Sequence, residues 1–209
     1  MKITFYGGVE TVTGSKYLVE NDDTKVLVDC GLFQGGKELT RHNRDPFPIA
    51  PATIDAIVVT HAHIDHSGYI PAFVKNGFKG SIYCSQATYE MCAILLIDSG
   101  KLQEEEVKQH PTWLPLYTQA DAEYALTFFK PIGYDKQIHI KSLQATLIRS
   151  GHTLGSAFVV ISDGKQILSF SGDLGRPVQP ILKAPPFIKK TDYLVLESTY
   201  GNRSHTYEE

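Results

Sequence analysis

The stretch Thr60–His66, with the sequence THAHIDH, is the part of this chain that decides its fold. It holds three imidazoles and one carboxylate, and it follows directly on an apolar run that predicts a buried strand. On the extended backbone that leaves such a strand, His61 and His63 point the same way. The turn that follows can bring Asp65 and His66 round to the same side.

These four side chains are of the types that bind divalent metal ions. Imidazole nitrogens and carboxylate oxygens are common ligands of Zn²⁺ and similar ions. A catalytic zinc ion usually keeps three protein ligands and one open position, so four donors exceed the needs of one ion. The spacing therefore predicts two adjacent metal ions.

The composition is that of one globular domain. The chain has 209 residues, of which 42% are hydrophobic and 21% charged. No apolar run approaches the roughly 18 residues that a membrane span needs, and the first residues lead straight into a strand pattern, without the features of a signal peptide. The three cysteines, Cys30, Cys84 and Cys92, form no C-x-x-C pair. We therefore expect a reducing, cytoplasmic setting and no membrane partner.

The formal net charge of −3 argues against general electrostatic attraction to nucleic acid. Bound zinc ions would, however, place positive charge at the site itself. Composition alone therefore leaves the substrate open.

Hydrophobic patterns predict a chain rich in short strands, with helices between them. Three segments have helical spacing: Tyr69–Lys75, Ala87–Asp98 and Ala120–Lys130. The predicted strands are Ile3–Tyr6, Tyr17–Glu20, Lys25–Asp29, Ile54–Val59, Ser81–Cys84, Gln137–Lys141, Gln144–Arg149, Ala157–Ser162, Gln166–Ser171 and Tyr193–Glu197. Strand-rich halves that flank helical segments indicate an α+β or layered α/β architecture with helices outside the sheets.

Four more residues with suitable side chains stand at or just beyond predicted strand ends. Asp29 either caps the following loop or holds a ligand histidine by its other ring nitrogen, and the two roles are compatible. His152, bracketed by glycines, is a candidate for the third ligand that the first cluster lacks. Asp173 also lies between glycines, and its two oxygens can bridge two metal ions. Glu197 is a further acid at a strand end.

With these residues, the chain resembles the metallo-β-lactamase fold superfamily, whose histidine motif matches residues 61–66. Asp29, His152 and Asp173 match further positions of that superfamily in chain order. Three segments are similar to phrases of the β-CASP RNA-processing nucleases: Gly151–Ser156, Ser171–Arg176 and Glu197–Gly201. Two more match the bacterial members of that group: Thr11–Ser15 and Pro115–Thr118.

The resemblance implies an α/β fold, the metallo-β-lactamase αββα sandwich, in which two packed mixed β-sheets have helices outside. It implies that residues 1–209 form the N-terminal portion of this domain, incomplete at the C-terminus. The inserted β-CASP domain and the C-terminal return of the chain would be absent. Two family histidines would be absent with them: one ligand of the second metal ion, and one that faces Glu197 and is thought to protonate the leaving group.

The resemblance also implies six metal ligands and two zinc ions. One ion would be bound by three histidines: His61, His63 and His152. The other would be bound by Asp65 and His66, with Asp173 bridging both ions. Asp65 would also orient the attacking hydroxide, and Asp29 matches a position that supports the ligands from behind. Glu197 matches a catalytic position at which members acting on RNA tend to have Glu and the DNA-processing branch Asp.

The implied function is a zinc-dependent nuclease that hydrolyses RNA phosphodiester bonds by a two-metal mechanism, leaving a 5′-phosphate and a 3′-hydroxyl. The expected substrate is single-stranded RNA. Because half of the active site would be missing, we expect this chain to bind one or two zinc ions and to be weakly active or inactive. We also expect self-association into a homo-oligomer through the unfinished sheet edge.

Two other functions fit parts of the pattern. A small-molecule metallo-hydrolase, such as a glyoxalase II-like thioesterase or a lactonase, shares the histidine motif but gives no reason for the segment Glu197–Gly201. A non-catalytic RNA-binding or scaffold subunit is the other alternative, and the presence of all six ligands that this region could supply argues against it for the parent protein. The sequence gives His205 no role. The remaining histidines are expected to be surface or structural residues: His42, His110 and His139.

Overall fold

The computed structural model describes residues 1–109, 114–178 and 180–203, which form two β-sheets and a layer of helices. In the first sheet, the strands up to β3 pair antiparallel and those from β3 to β6 pair parallel. Its strands, in spatial order, are β1 (Lys2–Gly7), β2 (Lys16–Asn21), β3 (Thr24–Val28), β4 (Ala56–Val58), β5 (Ser81–Cys84) and β6 (Phe129–Pro131).

The second sheet has five described strands in the spatial order β11-β10-β9-β8-β7. The pair β10 and β11 is parallel, whereas the other neighbours are antiparallel. In chain order the strands are β7 (Gln137–Ile140), β8 (Leu143–Arg149), β9 (Ala157–Ser162), β10 (Ile167–Phe170) and β11 (Tyr193–Val195). β11 forms an edge of this sheet, and the self-association predicted for an unfinished edge stays a prediction.

Among the described residues, five α-helices and two short 3₁₀ turns connect the strands of the first sheet. A capping box, in which Thr118 and Asp121 each accept the other's backbone N–H, begins the last helix. Within the described ranges, no helix combines the length and apolar character needed to cross a bilayer. The helices are α1 (Lys37–Thr40), α2 (Ile64–Ser67), α3 (Ile70–Lys75), α4 (Gln86–Gln109) and α5 (Gln119–Leu126), and the 3₁₀ turns are Arg41–Arg44 and Pro51–Thr53.

Alternation along the central strands sorts the core into two layers. In β3 the side chains of Val26 and Val28 face the second sheet, whereas Leu27 between them faces the helices. In β4 Val58 faces the second sheet and Ile57 the helices. Because both faces of these strands are covered, Val26–Val28 of β3 and all of β4 are apolar, as parallel strands in the middle of a sandwich are.

The predicted sandwich of two mixed sheets with helices is confirmed. Helices cover the first sheet, and among the described residues the second sheet has no helical layer of its own. The helix predicted over Ala120–Lys130 is wrong at its end, since α5 stops at Leu126 and Phe129–Pro131 is strand β6. The apolar residues there fit a helical spacing, but their pairing with β5 decides the outcome, with Phe129 beside Ile82.

The buried residues of the two core layers should contribute most to the free energy of unfolding. Ile57 is 0% exposed and Ile94, on α4, is 71% exposed. Ile57→Ala should lower the free energy of unfolding by about 2–5 kcal/mol, because it loses buried apolar surface and leaves a cavity. Ile94→Ala, the matched control, should change it by less than about 0.5 kcal/mol. Urea denaturation of both variants measures the difference, and equal losses would contradict the packing described for β4.

Candidate metal centre

The candidate centre lies at one edge of the sandwich, where strands of both sheets end. β3 and β4 run parallel with Val28 beside Val58, so the residues that follow them, Asp29 and then Thr60, leave the first sheet side by side. The turn between β8 and β9 and the end of β10 reach the same edge. There the Ala157 N–H donates to the Thr60 carbonyl oxygen over 2.8 Å, which joins the two sheets.

Four side chains converge on one point, with donor atoms within 4.8 Å of one another: His61, His63, His152 and Asp173. His63 Nδ1 lies 3.0 Å from His61 Nε2 and 3.2 Å from His152 Nε2. Asp173 Oδ2 lies 3.6 Å from His61 Nε2 and 3.3 Å from His152 Nε2. Ligands at about 2.0–2.1 Å from a tetrahedral zinc ion lie roughly 3.3 Å from one another. These donors therefore have the spacing of a metal site.

Asp173 turns its other oxygen toward a second group of donors. Its Oδ1 is 3.3 Å from His66 Nε2, and this nitrogen is 3.7 Å from Asp65 Oδ2. The carboxylate thus divides its two oxygens between the groups, which is the arrangement that a bridging ligand needs. All six residues predicted as ligands lie together, and their role as ligands stays a prediction.

Asp29 contacts the second group of donors through His66. Its side chain is 0% exposed. Oδ1 accepts the Thr60 backbone N–H at 2.7 Å, and Oδ2 accepts the Thr60 hydroxyl at 2.8 Å. Oδ2 is also 2.7 Å from His66 Nδ1. When His66 donates from Nδ1 to this carboxylate, Nε2 is the nitrogen left for a metal ion. These contacts fit both roles considered for Asp29, and its effect on metal binding stays a prediction.

Burial and neighbouring charges set the protonation of the cluster. Burial alone would lower the pKa of His66, but the carboxylates of Asp29 and Asp173 raise that pKa to about 10. Burial lowers the pKa of His61 well below its usual value, and the adjacent His66 lowers it further. Burial would raise the pKa of Asp173, yet the contacts with His66 hold it low. A His66 ring that is protonated in the absence of metal would have to lose its Nε2 proton before this nitrogen could bind a metal ion.

Local backbone features of the second sheet bring its two candidate ligands, His152 and Asp173, close to the first sheet. Gly172 has a φ of 52°, and a Cβ there would lie 2.8 Å from the Thr60 Cβ, so a glycine is required for Asp173 to come this close. The turn that carries His152 is closed by Ser156, whose Oγ accepts the His152 backbone N–H at 2.9 Å.

Glu197 lines a cavity of about 90 Å³ beside these donors. Its backbone N–H donates to Ser171 Oγ at 2.9 Å, and its side chain accepts the Leu174 backbone N–H. Burial raises the pKa of the Glu197 carboxyl. The same cavity is lined by His66, Asp173 and Tyr17. Glu197 therefore faces the second group of donors without belonging to the four that converge.

Sequence reasoning assigned no role to three residues that contact the site: Thr60, Ser156 and Tyr17. Thr60 is the clearest omission, because its hydroxyl also lies 3.0 Å from His61 Nδ1. The feature of the sequence that could have indicated a role for Thr60 is its position between a buried strand and the first histidine. Of the histidines outside the site, His42 and His139 are exposed, whereas His110 and His205 lie outside the described residues.

Replacing Asp29 should weaken zinc binding by the group of donors that contains His66. In Asp29→Asn, an amide N–H that faced His66 Nδ1 would force this nitrogen to accept, which places the ring proton on Nε2, the atom proposed to bind metal. Loss of such a supporting contact typically lowers metal affinity about 10–100-fold. Asp22→Asn, in an exposed turn, is the control. Zinc titration against a chelating dye measures both, and equal affinities would contradict the role given to Asp29.

Known proteins resemble this chain in sequence and in fold. A family model described as the metallo-beta-lactamase superfamily matches residues 11–200. Ribonuclease TTHA0252 of Thermus thermophilus is 35% identical over 205 residues, which are 98% of this chain and 45% of that protein. Transcription termination factor FttA of Methanocaldococcus jannaschii is 31% identical over 208 residues, which are 96% of this chain and 32% of that protein. The chain thus spans less than half the length of either relative.

A solved structure agrees on the fold. A metallo-β-lactamase of Cronobacter sakazakii with a HARLDQ motif, in a mutant form, superposes with a TM-score of 0.54 and 20% sequence identity, covering 82% of this chain and 60% of that one. One of the two sequence relatives carries the name ribonuclease, in agreement with the narrower resemblance to RNA-processing nucleases. By the match over most of its length, this chain belongs to the metallo-β-lactamase superfamily.

Proposed function

We propose that this chain is the metal-binding part of a zinc-dependent nuclease that hydrolyses phosphodiester bonds of single-stranded RNA in the cytoplasm. The observation that carries the proposal is the convergence of three imidazole nitrogens and one carboxylate oxygen on a point beside Glu197. A relative that carries the name ribonuclease supports the choice of RNA. The small-molecule hydrolase and the scaffold have no comparable support from any contact described above.

The donor set fits zinc by its chemistry and its spacing. Three imidazoles and a carboxylate are ordinary zinc ligands. The four donor separations of 3.0–3.6 Å lie close to the roughly 3.3 Å between neighbouring zinc ligands, within a set that spans up to 4.8 Å. His61, His63 and His152 would hold one ion, Asp65 and His66 the other, and Asp173 both. When bound, such ions supply Lewis acidity and make coordinated water acidic enough to ionise near neutral pH.

The residues of the chain have separate tasks in this proposal. Asp65, with its carboxylate toward the second group, would accept a hydrogen bond from the attacking hydroxyl and orient it toward phosphorus. Asp29 and Thr60 would keep the His66 ring in one tautomer and one orientation. Glu197, in the adjoining cavity, would face the scissile phosphate group and assist proton transfer at that side of the site.

The second ion has fewer donors than the first among the described residues. Asp65, His66 and one oxygen of Asp173 make three, of which Asp173 is shared. We therefore expect this 209-residue chain to fill the first site before the second and to hydrolyse RNA weakly or not at all. The full-length protein is the material on which activity has to be measured.

Removing a proposed ligand should abolish metal-dependent RNA cleavage by the full-length protein. His63→Ala and Asp173→Ala each take a donor from the four that converge, so both should lose zinc and activity together. His139→Ala, an exposed histidine on β7, is the matched control and should retain both. Cleavage of a labelled single-stranded RNA and zinc content by mass spectrometry measure the outcome. Undiminished cleavage by either ligand variant, or hydrolysis of a thioester with RNA left intact, would refute the proposal.

Glu197 should affect turnover without affecting metal content. Glu197→Gln keeps the shape and the acceptor for the Leu174 N–H but removes the proton-transferring carboxyl. We expect kcat to fall by about 10²–10⁴-fold, the usual contribution of a positioned general acid or base, while zinc content stays that of the wild type. Single-turnover RNA cleavage at saturating enzyme measures the step. Unchanged kcat would show that Glu197 is not catalytic.

A further inference from the structure

A second candidate site surrounds the side chain of Lys16, away from the metal centre. This lysine is 3% exposed, and a charged ammonium is costly to bury without a partner. Among the described residues, its one hydrogen-bond acceptor is the Gly14 carbonyl oxygen at 3.4 Å, and no carboxylate pairs with it. Its titratable neighbour is Cys30, a thiol whose pKa burial raises to about 12, so it supplies no negative charge.

Aromatic rings form the walls around this ammonium. Lys16 Nζ lies 4.4 Å from the centroid of the Phe33 ring and 5.1 Å from that of Tyr69, and such cation–π contacts offset part of the cost of burial. Together with Tyr6 and Phe47, these residues line a cavity of about 170 Å³. One water molecule needs only about 10–15 Å³. A cavity of about 150 Å³ can bind a benzene ring, so this cavity has room for one flat ring.

The rim of the cavity carries one acid, and that acid is already engaged. Asp45 Oδ2 is 2.7 Å from His42 Nδ1, and both residues line the cavity. Both side chains are largely exposed, so water and salt screen the charge of Asp45. The buried ammonium thus remains the dominant charge inside.

The Lys16 cavity is distinct from the cavity at the metal centre. Lys16 and Tyr17 are consecutive in β2 and so point to opposite faces of the sheet. Tyr17 lines the cavity that contains His66 and Glu197, whereas Lys16 lines the other. The Lys16 cavity contains none of the proposed metal ligands, so its occupancy does not depend on the proposed hydrolysis.

We propose that the Lys16 cavity binds one phosphate-bearing nucleotide, with the phosphate against Lys16 Nζ and the base against the aromatic rings. A buried ammonium without a counterion selects an anionic group. Aromatic side chains stack on any nucleobase, because every base presents a flat π-face. A nucleotide combines both features, whether it is a free nucleoside monophosphate or the phosphorylated end of an RNA chain.

Calorimetric titration of the 209-residue protein with UMP in excess EDTA tests the proposal. The chelator removes metal ions that would otherwise capture phosphate at the other site. UMP should bind, and uridine and inorganic phosphate should each bind about tenfold or more weakly, since each lacks one of the two contacts. Lys16→Met, which keeps the length of the side chain without its charge, should lower UMP affinity about tenfold or more. Lys79→Met, at an exposed position, should leave it unchanged.

A second variant keeps the test decisive if Lys16→Met does not fold. Tyr6→Leu leaves the lysine in place and removes one ring, so it should weaken UMP binding and leave phosphate binding as it was. A 5′-phosphorylated tetraribonucleotide that binds more tightly than UMP identifies an RNA end as the ligand, and weaker binding identifies the free nucleotide. The proposal is overturned if UMP does not bind, if uridine or inorganic phosphate binds as tightly as UMP, or if folded Lys16→Met retains full UMP affinity.

Discussion

The candidate metal centre depends on one buried interaction, the contact of the Asp29 carboxylate with Thr60 and His66. An isolated carboxylate in this position would cost several kcal/mol. Here three hydrogen-bonding contacts at 2.7–2.8 Å satisfy its oxygens. The backbone of Asp29 has a φ of 57°, which turns the chain out of β3 and leaves the side chain beside the end of β4. The orientation of His66, and with it the second group of donors, follows from this contact.

Parallel pairing is what makes that contact available. β3 and β4 end side by side, so the residue after one strand meets the residues after the other without a long loop. The second sheet reaches the same edge through the hydrogen bond from Ala157 to Thr60, on the residue that Asp29 also holds. Thr60 thus links both halves of the site: its backbone positions the second sheet, and its hydroxyl positions Asp29 and His61. A small, polar residue is required there, because the loop of Gly172 packs directly on it.

Much of this site could be predicted from the sequence, because chemistry-bearing residues at strand ends tend to meet at one sheet edge. The histidine cluster is local, and His152 and Asp173 follow from the same reasoning at more distant strand ends. Thr60 could not be assigned in this way, since its role depends on contacts from three separate segments. The predicted end of α5 was wrong because Phe129 fits the spacing of a helix as well as that of a strand. Only the pairing with β5 shows that this residue belongs to a strand. The burial of Lys16 could not be predicted from the sequence either, because a lysine at the start of a strand is usually exposed.

The proposed function requires that one metal ion is bound by four residues: His61, His63, His152 and Asp173. The most direct test is a crystal structure grown with zinc, with anomalous data collected on both sides of the zinc edge. We expect an anomalous peak at about 2.0–2.2 Å from His61 Nε2, His63 Nδ1 and His152 Nε2, and in contact with Asp173. The absence of a peak at this point with zinc in stoichiometric excess, including the case in which zinc binds only elsewhere in the protein, would contradict the proposed function.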